Sequence, residues 1–590
     1  MFLTLCAVAL AHPGDARDVF KHPLGGPSPA APQGLMQEGW DLLAYDMEHR
    51  FDLDEMEVSG VITAAAQARR ASPGPLTLHA DGPRLASVTV DGQPADVGQS
   101  GDTLSVATPG GLREGAVIEV RIAYTADLQE EWDTGVSWDG RILSSFHEPE
   151  GARRWLVVYD DPADKVTFTW AITVPDGLTV AANGVLEGVS DNGDGTATWR
   201  WAFDQPIPTY LIALHASAYA RVDQQMSDGR PITHYVPPFL RRDAEEDLAS
   251  TPEILDLLAS RFGPYPWPSY GNAVCGIGGA MEHTTMTSFG QGLIGSGAAE
   301  WVNVHEAAHH WFGDWVTLTT WPQIWLNEGF ASYAEVLWAE HLGGEAGRRD
   351  YVASQEASYL GWREYEGVFA LSDPDYYWGG TVYDKGAVVL DMLRTQVGDE
   401  AFFAGLVDYT ERYGGANATI DDFRGAVEGA SGQDLGWFFD QWVHRPGEPS
   451  FEVRQSSQVV AEGVTQLDVV VTQRTAETWR VPVELALAWA DGGEQVEDVW
   501  IEAPEQRLTF CLDEAPAAVR FDPDRKVLQS ERRRVLDMEP LDVVCVEPGE
   551  TPTPSAGDAW VVRTGCGVGG GGGWAALLAL LTLRRRQSAN

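Results

Sequence analysis

The chain has 590 residues, of which 44% are hydrophobic, and its 87 acidic and 40 basic residues give a formal net charge of −47. This length accommodates several domains, and the apolar content is typical of globular proteins. The acidic balance argues against a protein that binds nucleic acid or anionic lipid surfaces through its overall charge, because both would repel it. We attribute the charge to solubility in a salty or extracellular setting.

The amino terminus is typical of a signal peptide. Phe2–Ala11 is a short apolar run that ends in the small-x-small pattern Ala9-Leu10-Ala11. No basic stretch precedes this run, so a truncated start is one interpretation. We predict a signal peptide over residues 1–11 and a linker over residues 12–38.

Residues 39–222 are predicted to form an all-β domain, a β-sandwich. Short alternating stretches are separated by turn signals, and Asp91-Gly92 and Asn192-Gly193 are typical of hairpin turns. The strands are predicted over Val58–Ile62, Leu85–Val90, Ala116–Ala123, Val166–Val174 and Tyr210–Leu214.

Helical periodicity follows over residues 223–449, which we predict to be a mainly helical domain. Thr419, with Asp422 three residues later, is a candidate helix N-cap. The helices are predicted over Pro252–Phe262, Trp301–Trp315, Asn327–His341, Asp384–Gln396 and Ile420–Gly429.

The helical segment contains His305-Glu306-Ala307-Ala308-His309, and eighteen residues separate it from Glu328. On a helix, His305 and His309 share one face and can bind a single Zn²⁺. Glu328, from a second helix, can supply the third ligand. Three protein ligands leave one position open, as in a catalytic zinc site, and Glu306 is the candidate general base. The sequence therefore predicts a peptide-hydrolysing enzyme with one zinc ion per chain.

The alternative interpretation is a surface helix with two exposed histidines. The apolar and aromatic residues that flank the motif argue against it, because they predict a buried helix. The longer three-histidine metzincin motif is absent, since Phe312 and Trp315 occupy its glycine and final histidine positions. A glutamate-ligand site is favoured.

Residues 450–546 return to alternation and are predicted to form a second β-sandwich. Cys511 and Cys545 lie in this segment and could pair in an oxidising compartment. Cys275, which has no nearby activating partner, is interpreted as a packed core thiol.

The carboxyl-terminal sequence predicts a linker over residues 547–564 and a tail over residues 565–590. The tail contains Cys566, a glycine run, the short apolar stretch Trp574–Leu583 and three arginines. That stretch is too short to span a bilayer unaided. The arrangement resembles bacterial sorting tags of the MYXO-CTERM type. This implies export to the bacterial cell surface or outside the cell, with membrane attachment only through the tail or a lipid on Cys566.

Several motifs together resemble the M1 family of zinc aminopeptidases, the gluzincin class. The resemblance covers roughly residues 40–530 and implies a thermolysin-like catalytic domain after the first β domain. The motifs that carry it are Glu148-Pro149, Ala152-Arg153, Asp161-Pro162 with Lys165, Gly279–Glu282, His305–Thr317, Trp325–Glu335 and Gln441–Pro449.

The family implies a substrate-binding role for Gly279, Ala280, Met281 and Glu282. Glu282 would bind the free α-ammonium group of a peptide through a charge-assisted hydrogen bond. A blocked N-terminus would leave that carboxylate unpaired, which is the source of discrimination. The Gly279-Ala280 backbone would lie beside the substrate strand, where lack of bulk allows close approach.

By the same resemblance, Tyr383 would donate its hydroxyl to the oxyanion that forms from the scissile carbonyl. Tyr376 and Tyr377 are near enough in sequence to be rival donors.

The chain departs from the family pattern at several points. His283 and His310 replace the commoner Asn and Gln, and neither change removes a ligand. Phe146 takes the position of a common Gln, so no side-chain preference is carried over. No segment matches the large helical C-terminal domain of many members, which predicts a more open active site.

The predicted function is release of N-terminal amino acids from peptides that have a free N-terminus. The alternatives are a zinc endopeptidase, which Glu282 argues against, and a non-catalytic peptide-binding surface protein, which the intact zinc motif argues against. Epoxide hydrolysis, which one branch of the family adds, has no feature here that singles it out.

Overall fold

A computed structural model of the chain describes residues 39–130, 134–545 and the strand Val562–Thr564. The described residues form two compact units. The first contains those up to Glu448 together with Asp524–Ser530, and the second contains Pro449–Pro523 and those from Glu531 onward. The predicted signal peptide, the linker 12–38, Cys566 and the tail lie outside the described residues.

The amino-terminal part of the first unit is built on an eight-stranded sheet. Along Val117–Asp127 buried and exposed side chains alternate, so one face of the strand meets the core. Trp40–Asp52 and Val166–Pro175 are parallel, and the other neighbours are antiparallel. In order across the sheet the strands are Val185–Asp191, Thr196–Ile207, Val166–Pro175, Trp40–Asp52, Glu57–Ala68, Val117–Asp127, Arg84–Val90 and Gln93–Pro94.

Two smaller sheets complete this β region, as predicted. In order, one contains Thr179–Ala182, Leu214–Ser217, Leu143–Phe146 and Gly135–Trp138, and the other Leu76–His79, Thr103–Val106 and Val97–Ser100. The hairpin turns at Asp91-Gly92 and Asn192-Gly193 are confirmed, and in the first both turn residues have positive φ.

The predicted strand Tyr210–Leu214 is wrong. Thr209–Leu211 forms a short 3₁₀ turn after Pro208, and the strand begins only at Leu214. The Tyr210 ring is buried against Trp321, so the apolar run fills a core position without adopting extended structure.

The rest of the first unit begins with a mixed five-stranded sheet. In order its strands are Ala220–Gln225, Pro231–Val236, Asn272–Cys275, Thr287–Gly290 and Ala280–Met281. Ala280–Met281 is an edge strand, and the strand that contains residue 222, the predicted domain limit, belongs to this sheet. A two-stranded pair, Thr317–Leu318 and Asn417–Ala418, lies further along the chain.

The described residues contain eight α-helices, α1 to α8. In chain order they are Arg241–Asp247, Thr251–Phe262, Ala299–His309, Trp325–Glu366, Gly386–Val397, Asp399–Tyr413, Ile420–Ser431 and Gly436–Trp442. The predicted N-cap of α7 is confirmed, because Thr419 and Asp422 form a reciprocal capping box. No helix in the described part of the chain has the length and apolar character to cross a membrane.

Two helix boundaries differ from the prediction. Helix α3 ends at His309 rather than Trp315, and the chain turns at Gly313, whose φ of 125° is unfavourable for other residues. Helix α4 runs beyond His341 to Glu366 and is interrupted at Gly344, which has φ 62° and ψ −156°.

The second unit is a β-sandwich of two sheets, as predicted. In order, one contains Leu536–Asp537, Phe451–Ala461, Val464–Gln473, Glu505–Leu512 and Val562–Thr564, and the other Glu494–Ile501, Val481–Ala488 and Ala518–Phe521. The pairing of Cys511 with Cys545 is confirmed, and Cys275 is free and buried in the first unit.

Candidate metal centre and active site

Two helices bring the predicted metal ligands together. His305 and His309 lie one turn apart on α3, and Glu328 lies in the first turn of α4, where the helix dipole favours a carboxylate. All three side chains are buried, and their ligand atoms lie within 4.8 Å of one another.

The distances between these ligand atoms fit a tetrahedral zinc ion. Glu328 Oε2 lies 3.1 Å from His305 Nε2 and 3.3 Å from His309 Nε2. Zinc bonds of about 2.0–2.2 Å place tetrahedral ligand atoms about 3.3–3.6 Å apart. The residues present therefore fit the metal, with one position left for a water or substrate oxygen.

The second nitrogen of each histidine is also fixed. His305 Nδ1 is 2.8 Å from Glu335 Oε1, and His309 Nδ1 is 3.1 Å from the Phe312 carbonyl oxygen. Both partners are acceptors, so each Nδ1 donates and each Nε2 presents its lone pair to the metal position.

The charge distribution of the site also calls for a cation. Burial lowers the pKa of His305, but hydrogen bonds with Glu328 and Glu335 outweigh it and raise that pKa to about 9. Burial also raises the pKa of Glu306. Without a metal the cluster thus holds protons to balance its carboxylates, and a divalent ion would replace them.

Glu306 lies between the two histidine ligands on α3 and is also buried. One oxygen of Glu306, one of Glu282 and one nitrogen of His309 lie within 4.8 Å of one another. Glu306 Oε2 has no hydrogen-bond partner among the described residues. The carboxylate is therefore placed beside the metal position with an oxygen available to a bound water.

A second group of carboxylates adjoins the metal position. Glu282 Oε1 lies 3.9 Å from His309 Nδ1, and Glu148, Glu282 and Glu328 each place an oxygen within 4.8 Å of the others. Glu148 was not among the predicted site residues, although the Glu148-Pro149 motif carries part of the family resemblance. It follows the strand Leu143–Phe146, so the β region contributes directly to the site.

The backbone around Gly279 forms the edge of the mixed sheet. Ala280 and Met281 pair with Phe289 and Ser288 on one side, and the Gly279 carbonyl accepts from the Gly290 N–H. Because Ala280–Met281 is an edge strand, its other side is available for pairing with an extended peptide.

Tyr383 lies in a π-helical turn, Thr381–Lys385, which leads into α5. A Cβ on Gly386 would lie 2.8 Å from the Cα of Gly329, so only glycine allows α4 and α5 to approach this closely. The approach brings the Tyr383 ring nearly parallel to that of His305, with centroids 5.8 Å apart.

The electrostatic environment separates Tyr383 from its rivals. Burial and then the charges of Glu328, Glu148, Glu282 and Glu306 raise its pKa well above the usual value, so the hydroxyl keeps its proton.

For Tyr376 and Tyr377, burial also raises the pKa, but the neighbouring charges belong to other carboxylates. They are Glu366 for Tyr376, and Asp373 and Glu150 for Tyr377. Of these three tyrosines, only Tyr383 has a pKa that the carboxylates of the metal cluster raise.

The two histidine departures are accommodated by buried hydrogen bonds. His310 Nε2 accepts from the Thr285 N–H at 3.0 Å, and His310 Nδ1 donates to the Glu306 carbonyl at 3.1 Å. His283 Nδ1 lies 2.6 Å from Ser288 Oγ. Neither ring is a metal ligand, and neither displaces one.

Two family models match the chain. Residues 42–211 match the peptidase M1 N-terminal domain, and residues 247–442 match the peptidase family M1 domain. Together the matches cover more than half of the chain.

Among curated proteins, the chain is 25% identical to glutamyl aminopeptidase of Rattus norvegicus over 456 residues, which cover 72% of this chain and 47% of the relative. It is 29% identical to aminopeptidase N of Streptomyces lividans over 401 residues, or 62% of this chain and 45% of the relative. The chain thus spans about half the length of the curated relatives it matches.

The solved structures it resembles are covered almost completely. An M1 zinc metallopeptidase variant from Deinococcus radiodurans, bound to a Tyr-Ser-Ala substrate, is 28% identical, with a TM-score of 0.61 over 71% of this chain and 97% of that one. A two-domain M1 zinc metallopeptidase variant bound to L-arginine, also 28% identical, has a TM-score of 0.62 over 72% and 98%.

Proposed function

Because the chain belongs to peptidase family M1, we propose that it is a zinc-dependent aminopeptidase that releases N-terminal residues from peptides. One buried site combines the metal-ligand triad with the Glu148–Glu282 carboxylate pair, and this observation carries the proposal. The triad His305, His309 and Glu328 would hold one zinc ion per chain. When bound, zinc acts as a Lewis acid and lowers the pKa of water towards about 7.

The residues around the metal divide the chemistry among them. Glu306 takes a proton from the attacking water and returns it to the leaving amine. Tyr383 donates its hydroxyl to the carbonyl oxygen as negative charge develops there. The edge strand Ala280–Met281 aligns the peptide backbone.

The substrate must present a free α-ammonium group. Glu282 and Glu148 bind that cation in a buried site, where charge-assisted hydrogen bonds are strong. A peptide without it leaves the buried Glu282 carboxylate without that cation, which disfavours an endopeptidase. An adhesion or binding module would not need a general base beside the metal position.

We further propose that the protein is exported and held at the bacterial surface by its tail. The apolar run at Phe2–Ala11 and the Cys566 tail support this, and both lie outside the described residues. Expression in a bacterial host of the same cell-envelope type, followed by fractionation, tests the idea. Recovery of both the wild type and Cys566→Ala in the cytoplasm would contradict it.

The activity is tested with paired substrates that carry a free or an N-acetylated amino acid on a fluorogenic amide. Each substrate is assayed with and without a zinc chelator, and zinc content is measured. We expect chelator-sensitive cleavage of the free substrates and only slow cleavage of the acetylated ones. Rapid cleavage of the acetylated series would identify an endopeptidase, and zinc binding without any cleavage would favour a binding module.

Glu282→Gln sharpens this test, because it keeps the shape of the side chain and removes its charge. A hydrogen bond to a charged group contributes about 1.5–3 kcal/mol. We therefore expect kcat/KM on free substrates to fall about 10- to 100-fold and to stay constant on acetylated ones. An equal loss on both series would contradict the role of Glu282.

A further inference from the structure

We propose that one face of helix α4, after its break at Gly344, positions two separate groups of the active site. Tyr351 fixes the metal ligand His305 through Glu335, and Glu366 fixes the turn that carries Tyr383. The metal arm requires only a bound zinc ion, whereas the catalytic arm rests on the proposed aminopeptidase activity.

The metal arm is a chain of buried hydrogen bonds. The Tyr351 hydroxyl donates to Glu335 Oε2, and Glu335 Oε1 accepts from His305 Nδ1 at 2.8 Å. The Tyr351 ring also stacks on Trp301 of α3, with centroids 5.1 Å apart and an interplanar angle of 26°. Tyr351 thereby holds the carboxylate that sets the orientation of His305.

The catalytic arm holds the π-helical turn at two points. Glu366 Oε1 accepts from both the N–H and the hydroxyl of Thr381, at 2.8 and 2.7 Å. Ser358 Oγ donates to Asp384 Oδ2 at 2.6 Å. Thr381 and Asp384 flank Tyr383 within the turn. The position of the Tyr383 hydroxyl is therefore fixed by contacts that do not include the metal.

Helical geometry places the three supporting side chains on one face. Tyr351, Ser358 and Glu366 are separated by seven and eight residues, or about two turns each. Glu328 and Glu335 lie before the break at Gly344, and the supporting side chains lie after it. The first half of the helix thus contributes the ligand Glu328 and the His305 partner Glu335, and the second half holds Glu335 and the turn that carries Tyr383.

The metal arm is tested by zinc affinity, which needs no substrate. Tyr351→Phe removes the hydroxyl that holds Glu335. Tyr359→Phe is the matched control, because Tyr359 lies on the same half of α4 and donates at 2.7 Å to Glu448 rather than to Glu335. Loss of an outer hydrogen-bond partner typically weakens metal affinity about 10- to 100-fold.

We expect a change near the lower limit of that range for Tyr351→Phe, measured by competition with a chromophoric chelator, and none for Tyr359→Phe. Wild-type affinity in Tyr351→Phe, or equal weakening in both variants, would overturn the metal arm.

The catalytic arm is tested by kcat in zinc-saturated protein. Glu366→Ala removes both bonds to Thr381, whereas Glu366→Gln retains an oxygen that accepts them. Complete loss of an oxyanion donor costs about 10²–10³ in rate, so a displaced donor should cost less. We expect kcat to fall about tenfold in Glu366→Ala, with zinc affinity and KM unchanged, and to return in Glu366→Gln.

Thr381→Val is a second variant that leaves the helix intact, and we expect a smaller loss of kcat in it. Wild-type kcat in both Glu366→Ala and Thr381→Val would overturn the catalytic arm, as would equal impairment in Glu366→Ala and Glu366→Gln. Absence of cleavage by the wild type would instead refute the proposed function, and the zinc measurements would still decide the metal arm.

Discussion

The interior of the eight-stranded sheet and the metal centre are buried to a similar degree, but burial acts on them in opposite ways. Ile62, Val120 and Ile122 are fully buried apolar side chains, and each gains free energy on leaving water. Glu306 and Glu328 are buried carboxylates, whose desolvation costs free energy unless a cation or hydrogen bonds compensate. The sheet stabilises the fold directly, whereas the site would rely on a bound zinc ion to compensate its buried carboxylates.

The sharpest contrast is expected from Glu306→Gln. General acid–base catalysis typically contributes 10²–10⁴-fold, so kcat should fall by that factor. Stability should not fall, because burial raises the pKa of Glu306 and so disfavours its charged form. Glutamine has no charged form, so it avoids this cost. Steady-state kinetics and urea unfolding of the metal-free protein measure the two effects.

Glu300→Gln is the matched control for that variant. Glu300 lies on the same helix and accepts a hydrogen bond from Trp338 Nε1 rather than facing the metal cluster. We expect kcat to remain at the wild-type value. Comparable loss of kcat in both variants would show that the helix, and not the Glu306 carboxylate, was responsible.

Removal of zinc should destabilise the first unit. A ligand present at 1,000 times its Kd stabilises the folded state by about 4 kcal/mol. We expect a corresponding loss of unfolding free energy after chelation, seen as a lower urea midpoint. Glu328→Gln should unfold at nearly the same urea concentration with and without zinc, and a full zinc response in that variant would argue against Glu328 as a ligand.

In the sheet, the expected effect falls on stability alone. Ile122→Ala removes a fully buried side chain and should cost about 2–5 kcal/mol, with kcat unchanged where the protein is folded. Val117→Ala on the same strand is the control, because Val117 is 54% exposed and should cost less than about 0.5 kcal/mol. Urea midpoints that shift equally would contradict the assigned burial.

The smallest effect concerns a buried histidine away from the metal. Burial lowers the pKa of His234 to about 3, and neither ring nitrogen has a hydrogen-bond partner among the described residues. The unfolded chain, with a pKa near 6.5, binds the proton more readily, so His234 makes stability fall as pH drops below about 6.5.

This loss amounts to about 2 kcal/mol at pH 5, since each pKa unit corresponds to about 1.4 kcal/mol. His234→Leu should therefore lose less stability than the wild type between pH 7.5 and pH 5. Urea unfolding at both pH values measures the difference, and parallel losses in the two proteins would exclude His234 as a source of acid sensitivity.

Sequence reasoning succeeded where chemistry depends on short spacing. His305 and His309 share a helix face by periodicity alone, and Glu328 lies in a motif at a defined distance. The alternation of apolar and polar residues along the sheet strands could be recognised in the same way. These features need only local geometry, which the order of residues specifies.

The contacts that support the metal ligands were missed, because they join residues that are distant along the chain. Glu335 and Tyr351 meet across the break at Gly344, and no periodic pattern encodes that meeting. Glu148 reaches the site from the β region, so only tertiary packing reveals its place beside Glu282. Helix α3 ends before Gly313, whose positive φ does not fit a helix. The apolar residues that flank the zinc motif continue past this point, so their pattern does not reveal where the helix ends.

The return of Asp524–Ser530 to the first unit has a consequence for synthesis on the ribosome. Val527 and Leu528 are buried, and the Leu528 N–H lies 3.5 Å from Met392 Sδ of α5. These residues are translated only after Pro449–Pro523 of the second unit. Nascent domains usually complete folding in the order in which they emerge. Here the first unit, although most of it leaves the ribosome first, completes its fold only after a segment that follows Pro449–Pro523 has emerged.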